Sequence, residues 1–136
     1  MSSESRAKMS ISAAKRVRSK RETYTSAHGG FRKDLGCYFR SNWEANYARI
    51  LQFEGKHWMY EPTTFHLDEG TYTPDFSVEG IEGFIEIKGR IDDEIAMKKV
   101  KAFIIKHSEI SVIFIGPKEY DELRKHYKKL VAWEGK

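Results

Sequence analysis

Two carboxylates and a lysine fall within one short stretch of this chain. Tyr72-Thr-Pro-Asp-Phe76 carries Asp75, and Ile85-Glu-Ile-Lys-Gly89 carries Glu86 and Lys88. Residues two apart on a strand leave from the same face, so Glu86 and Lys88 share one side. Ile85 and Ile87 then turn to the other side, into a core. The loop from Ser77 to Gly83 is long enough to return the chain and lay Asp75 beside Glu86. Magnesium takes oxygen ligands and keeps several waters, so one or two carboxylates plus a substrate phosphate suffice to hold it. A divalent cation eases loss of a proton from water and stabilises charge on phosphoryl oxygens. Lys88 suits holding an attacking water and adding positive charge near the transition state. Glu-x-Lys alone is common on solvated sheet faces. Joined to Pro74-Asp75 at this distance, with apolar residues flanking both, the pattern favours metal-assisted attack on a phosphodiester.

The elements that must position these groups are legible by periodicity. A helix is expected from about Ser41 to Gln52, with Trp43, Tyr47, Ile50 and Leu51 as its apolar stripe and Gly55 as its stop. Ser41 and Glu44 form a capping-box pattern, which alone would account for Glu44. His57 to Glu61 reads as a short strand halted by Pro62. Thr71 to Val78 and Gly83 to Ile87 read as the strands of the site. Asp92 is expected to cap a helix reaching about His107, with Ala96, Val100, Phe103 and Ile104 inward and Lys98, Lys99, Lys101 and Lys106 mostly outward. Ile110 to Ile115 reads as a buried strand by its apolar run. Pro117 starts a last helix with the stripe Tyr120, Leu123, Tyr127 and Leu130. The predicted fold class is α/β, a small mixed β-sheet flanked by helices.

Pro-Asp, then ten intervening residues from Phe76 to Ile85, then Glu-x-Lys resembles the PD-(D/E)xK nuclease superfamily. Phe39-Arg-Ser-Asn-Trp-Glu44, Phe53-Glu-Gly-Lys, Tyr60-Glu61 and Tyr72-Thr-Pro-Asp-Phe76 occur in the order seen in the phage endonuclease I family of Holliday-junction resolvases. Lys88-Gly-Arg, Asp92-Asp-Glu94, Lys98-Lys99 and Ile110-Ser-Val-Ile-Phe-Ile115 continue the likeness, which runs from about Phe39 to Phe114. Similar blocks occur in other phage nucleases, including head-completion nucleases, and in transposon-end-cleaving subunits. The resemblance implies a restriction-endonuclease-like core and four catalytic residues: Glu44, Asp75, Glu86 and Lys88. It further implies that Asp75, Glu86 and the backbone carbonyl of Ile87 bind the metal, with Glu44 reaching it directly or through water. The implied cofactor is Mg2+, with Mn2+ able to substitute. The implied product carries a 5′ phosphate.

At 136 residues the chain fits one domain, residues 31–136, preceded by a basic arm, residues 1–30. Apolar residues make up 40% and aromatics 13%, a globular composition, and the net charge of +4 suits a nucleic-acid partner. Lys15, Arg16, Arg18, Lys20 and Arg21 sit among serines and alanines, a composition expected to stay disordered when free and to lie on phosphates when bound. The alternative is a solvated tail. Arg40, Arg90, Lys98 and Lys99 are further candidates for phosphate contact, and Trp58 for contact with DNA. The single cysteine, Cys37, excludes an internal disulfide framework and reads as a buried thiol rather than a nucleophile. The five histidines show no zinc spacing with it, although His57 or His66 could approach the metal. No run of ~18 apolar residues argues for a membrane span. No secretory leader or phosphate-loop signature is evident, so the expected setting is the cytoplasm, that of the host if the chain is phage-encoded, without a nucleotide cofactor.

The expected activity is Mg2+-dependent endodeoxyribonuclease action on branched DNA such as a four-way junction. Cutting two opposed strands needs two active sites, hence a homodimer. By the same resemblance, Pro62 to Thr71 would be a bridge exchanged between protomers. Two rivals remain open: a sequence-specific, nicking or end-processing nuclease of packaging or host-DNA breakdown, and a DNA-binding subunit that does not cleave.

Overall fold

A computed structural model of the chain describes residues 28–89 and 94–135. Its elements, in order, are β1 (Gly30–Arg32), β2 (Cys37–Phe39), α1 (Asn42–Phe53), β3 (Trp58–Tyr60), β4 (Phe65–His66), β5 (Thr71–Tyr72), β6 (Phe76–Val78), β7 (Phe84–Ile87), α2 (Glu94–Lys106), β8 (Val112–Ile115) and α3 (Pro117–Tyr127). The central sheet is mixed and four-stranded, in the order β3-β6-β7-β8. β3 and β7 run antiparallel to β6, and β8 runs parallel to β7. Such a parallel pair needs a crossover, and α2 supplies it.

Alternation along β7 divides the interior in two. Ile85 and Ile87 join a main core with Phe39, Ala48, Leu51, Tyr60, Phe76 and Tyr120, so α1 and α3 cover that face. Phe84 faces a smaller core built on Tyr72, Val100 and Phe103, so α2 covers the other. The expected mixed sheet between helices is therefore the observed α/β architecture. No helix among the described residues is long and apolar enough to cross a membrane.

The ends of α1 follow from local chemistry. Ser41 adopts an extended N-cap geometry and its hydroxyl accepts from the Glu44 N–H. At the other end Gly55 takes φ +72°, and the N–H groups of Gly55 and Lys56 close on the carbonyls of Gln52 and Leu51. Another side of α1 is tied down by a partly buried polar network. Arg49 donates to Asp34 at 2.8 Å and to Glu134 at 2.7 Å, and Arg32 donates to Glu134 at 2.6 Å. Asn46, fully buried, donates to the Tyr120 hydroxyl and to the Glu134 carbonyl, each at 2.9 Å. Tyr120 in turn stacks on Trp43, with ring centroids 3.8 Å apart and planes within 3°.

Several expectations are corrected. Thr71 to Val78 is not one strand: Thr73-Pro74-Asp75 breaks it into β5, which pairs with β4, and β6, which pairs with β3 and β7. Proline lacks the N–H that a continuous ladder would need. The hairpin of β1 and β2 was not foreseen, and Gly30, assigned above to the arm, already pairs with Phe39. Ile104 is exposed rather than inward, and β8 is an edge strand whose Ile113 is 46% exposed. Leu130 lies beyond the end of α3 and is exposed. The stretch from Pro62 to Thr71 carries the β4–β5 hairpin, in which Phe65 packs on Phe84 and Phe103.

The turn into β7 gives a sharp test. At Gly83 φ is +82°, and an added Cβ would lie 2.1 Å from the Ser111 carbonyl oxygen, backbone that the Phe84 N–H already holds. Gly80 also has positive φ (+90°) but open space around it. In urea denaturation Gly83→Ala is expected to lose on the order of 3 kcal/mol, combining strain and collision. Gly80→Ala should lose only about 1 kcal/mol.

Candidate active site

The site lies where β6 begins and β7 ends. The register Phe76↔Ile85 places Asp75 alongside Glu86, as the sequence predicts. Asp75 is fixed by its own carboxylate, whose Oδ2 accepts the Ile87 backbone N–H at 2.7 Å. Glu86 sits on β7 and its Oε1 accepts the Tyr72 hydroxyl at 2.7 Å. Glu44 enters from the first turn of α1, and its Oε1 accepts the hydroxyls of Tyr60 (2.9 Å) and Ser41 (3.2 Å). Ser41 therefore serves both as helix cap and as a donor to Glu44. All three carboxylates are buried, at 7%, 5% and 6% exposure for Glu44, Asp75 and Glu86. Lys88 is half-buried beside them, its backbone N–H held by the Ile115 carbonyl at 2.9 Å.

Burial sets the electrostatics. Asp75 is pushed well above the usual carboxylate range, first by loss of water, then by the charges of Glu86 and Glu44 and by contact with the Glu44 carboxyl. Burial likewise pushes Glu86 up to about 7, against the Tyr72 hydroxyl and the Lys88 charge, which pull it down. Burial and neighbouring carboxylates raise the phenols of Tyr60 and Tyr72, which keeps both as protonated donors. Burial thus works against ionising the cluster, a penalty that a bound cation would relieve. Asp75 and Glu86 lie side by side and could hold one, with Glu44 adjoining Asp75. Among the described residues no three side chains of His, Cys, Asp or Glu form a ready-made cage. Magnesium is commonly held by one or two carboxylates with waters and substrate phosphate, so the pair fits its demands.

The remaining candidates disperse. Arg40 turns toward Glu61, with Nε 2.8 Å from a carboxylate oxygen, while 32% of its side chain stays exposed. Glu61 is fully buried and holds φ +47°, rare for a residue with a Cβ. Lys98 and Lys99 are exposed on α2, and the Lys99 chain lies by Gly70 at the tip of the β4–β5 hairpin. Trp58 is a packing residue, its ring against Phe39 and Phe76. His57 adjoins the far end of β3 from Asp75, and His66 is exposed with its carbonyl accepting from Lys106. Burial pushes the Cys37 thiol up to about 11, with the Glu61 charge adding, so it is no thiolate nucleophile. Arg90, Asp92, Lys15, Arg16, Arg18, Lys20 and Arg21 lie outside the described residues.

Sequence reading missed Tyr60 and Tyr72 as parts of the site. Tyr60 meets Glu44 across 16 positions of sequence and Tyr72 meets Glu86 across 14, so no local period reveals either contact. The only signal was their presence in the blocks Tyr60-Glu61 and Tyr72-Thr-Pro-Asp. Compared with known proteins, the chain matches no family model, no curated protein and no solved structure.

The raised Glu86 has a measurable consequence. A carboxyl that binds its proton more tightly when folded stabilises the fold below its unfolded value and loses that contribution as pH rises through the folded one. Without divalent cations, the melting temperature should therefore fall between pH 4.5 and about 7. Glu86→Gln should flatten that fall, and added Mg2+ should raise the melting temperature more at pH 8 than at pH 5. Thermal melts in chelator and in Mg2+ across this range check both.

Proposed function

We propose that the chain is a Mg2+-dependent endodeoxyribonuclease of the PD-(D/E)xK type, with a restriction-endonuclease-like core, acting on branched DNA as a homodimer. The observation that carries this reading is the buried apposition of Asp75 and Glu86 at one sheet end. Lys88 shares their face, and Glu44 closes the cluster from α1. When bound, Mg2+ supplies a Lewis acid for the scissile phosphate and lowers the pKa of water.

The chain's own residues do the rest. Asp75 and Glu86 would hold the cation, their backbone pinned by the Ile87 N–H bond to Asp75 and by the pairing of β7 with β8. Lys88 orients the attacking water and offsets the negative charge growing on the phosphoryl oxygens. Its half-exposed position leaves it reachable by a phosphate, whereas the carboxylates lie deeper. Glu44 approaches from α1 and its carboxyl contacts that of Asp75. Lys98 and Lys99, exposed on α2, meet the DNA backbone outside the chemistry, and the basic residues before residue 28 add phosphate contacts. A paired cut across a junction requires two such sites, which is the argument for the homodimer.

The test uses a labelled immobile four-way junction and a linear duplex of the same sequence, in Mg2+, with Lys88→Ala as control. Paired cuts near the branch are expected, at least about 100-fold slower in the variant, the scale of losing one group that stabilises transition-state charge. Equal cutting of both substrates would keep the nuclease and discard branch selectivity. Binding without cutting would favour the non-cleaving subunit. Removing residues 1–27 should weaken junction binding and reduce its dependence on salt, as read by titration at several ionic strengths.

A further inference from the structure

Two of the three carboxylates of the cluster accept a hydrogen bond from a tyrosine hydroxyl. The Tyr72 hydroxyl donates to Glu86 Oε1 at 2.7 Å, and the Tyr60 hydroxyl donates to Glu44 Oε1 at 2.9 Å. Neither tyrosine belongs to the strand or helix that carries its carboxylate. Tyr72 comes from the β4–β5 hairpin, is 5% exposed and packs on Phe103 of α2. Tyr60 comes from β3, is 3% exposed and packs on Phe39 and Phe76. The direction of the Tyr60 bond is fixed: the Arg40 backbone N–H donates to its oxygen at 3.2 Å, which turns the hydroxyl proton toward Glu44.

We propose that Tyr60 and Tyr72 are positioning residues for a divalent cation. Each holds one oxygen of a carboxylate and so fixes the rotamer in which that carboxylate meets the ion. The inference rests on the nuclease reading above and adds how its metal site is built. A glutamate side chain has three rotatable bonds, so burial alone does not choose a rotamer for it. A rigid phenol anchored in a packed core does choose one, and its hydrogen bond to an anion is of the stronger, charge-assisted kind. Groups that hydrogen-bond metal ligands typically account for 10- to 100-fold in metal affinity or activity. The two tyrosines approach from opposite faces of the sheet, one from each core, so the two carboxylates are oriented independently.

Tyr72→Phe and Tyr60→Phe remove the hydroxyls and leave the rings to pack. Circular dichroism checks that each variant is folded. Mn2+ binding is then measured by calorimetry on the full chain without DNA, and cleavage is followed against Mg2+ concentration. Each folded variant is expected to bind Mn2+ about tenfold more weakly. Each should regain much of its cleavage rate at raised Mg2+, which separates a metal-binding defect from damage to the chemistry. A measurement on the unaltered chain complements these: saturating Mg2+ should perturb the ultraviolet absorbance of tyrosine as the cation draws charge from the carboxylates. Each single variant should lose part of that signal. Folded variants that bind Mn2+ as tightly as the unaltered chain would overturn the inference while leaving the nuclease reading intact. So would an absence of tyrosine perturbation in a chain that binds Mg2+ and cleaves. If the unaltered chain takes up neither ion, the reading of the site and the inference fall together.

Discussion

The ladder between β6 and β7 is completed by a side chain. Where a continuous β6 would offer the Pro74 carbonyl to the Ile87 N–H, the strand has already broken, and the Asp75 carboxylate accepts that N–H instead. A buried N–H must find a partner, so the constraint acts in both directions: it satisfies Ile87 and it pins Asp75. On its other side Ile87 pairs in register with Ile115, and the next N–H, that of Lys88, bonds the Ile115 carbonyl. The end of β7 is therefore clamped from two strands. Glu86 and Lys88, flanking Ile87, inherit that rigidity. The rest of the site is assembled around this clamp.

Placing carboxylates there is costly. Burial raises both Asp75 and Glu86, and the charges of Glu86 and Glu44 further oppose ionisation of Asp75. The structure offsets part of this with dedicated donors and with the Lys88 charge. It also brings Glu44 in at the first turn of α1, the positive end of that helix. What remains is a buried carboxylate cluster held still by two strands and a helix, the setting that the proposed cation would occupy.

The sequence made the parts of this site visible that depend on short spacing. Asp75, Glu86 and Lys88 are set by one hairpin, whose loop length and alternation can be read directly. Ser41, Glu44 and Gly55 likewise follow from capping chemistry confined to α1. Other features depend on distant contacts. Tyr60 and Tyr72 reach their carboxylates across folded distance, and Phe65 draws its hairpin inward only because Phe103 stands there to receive it. Glu61 could not be assigned, since its burial opposite Arg40 arises from how β2 and β3 lie together. The exposure of Ile113 was hidden for a similar reason: an apolar run marks a strand but not its place at the edge of a sheet.

The division of the interior by β7 bears on how freely the chain can vary. Phe84 answers to the smaller core, Ile85 and Ile87 to the larger, and Glu86 to the site. Consecutive positions thus obey different neighbours, and a one-residue slip would put every one of them before the wrong partner. Along β8 the obligation is looser, because Ile113 faces outward at an edge. Tolerance to substitution should therefore change steeply between two strands that lie side by side. The narrowest latitude falls on the four residues from Phe84 to Ile87, where there is no neutral position from which a new sequence could begin to drift.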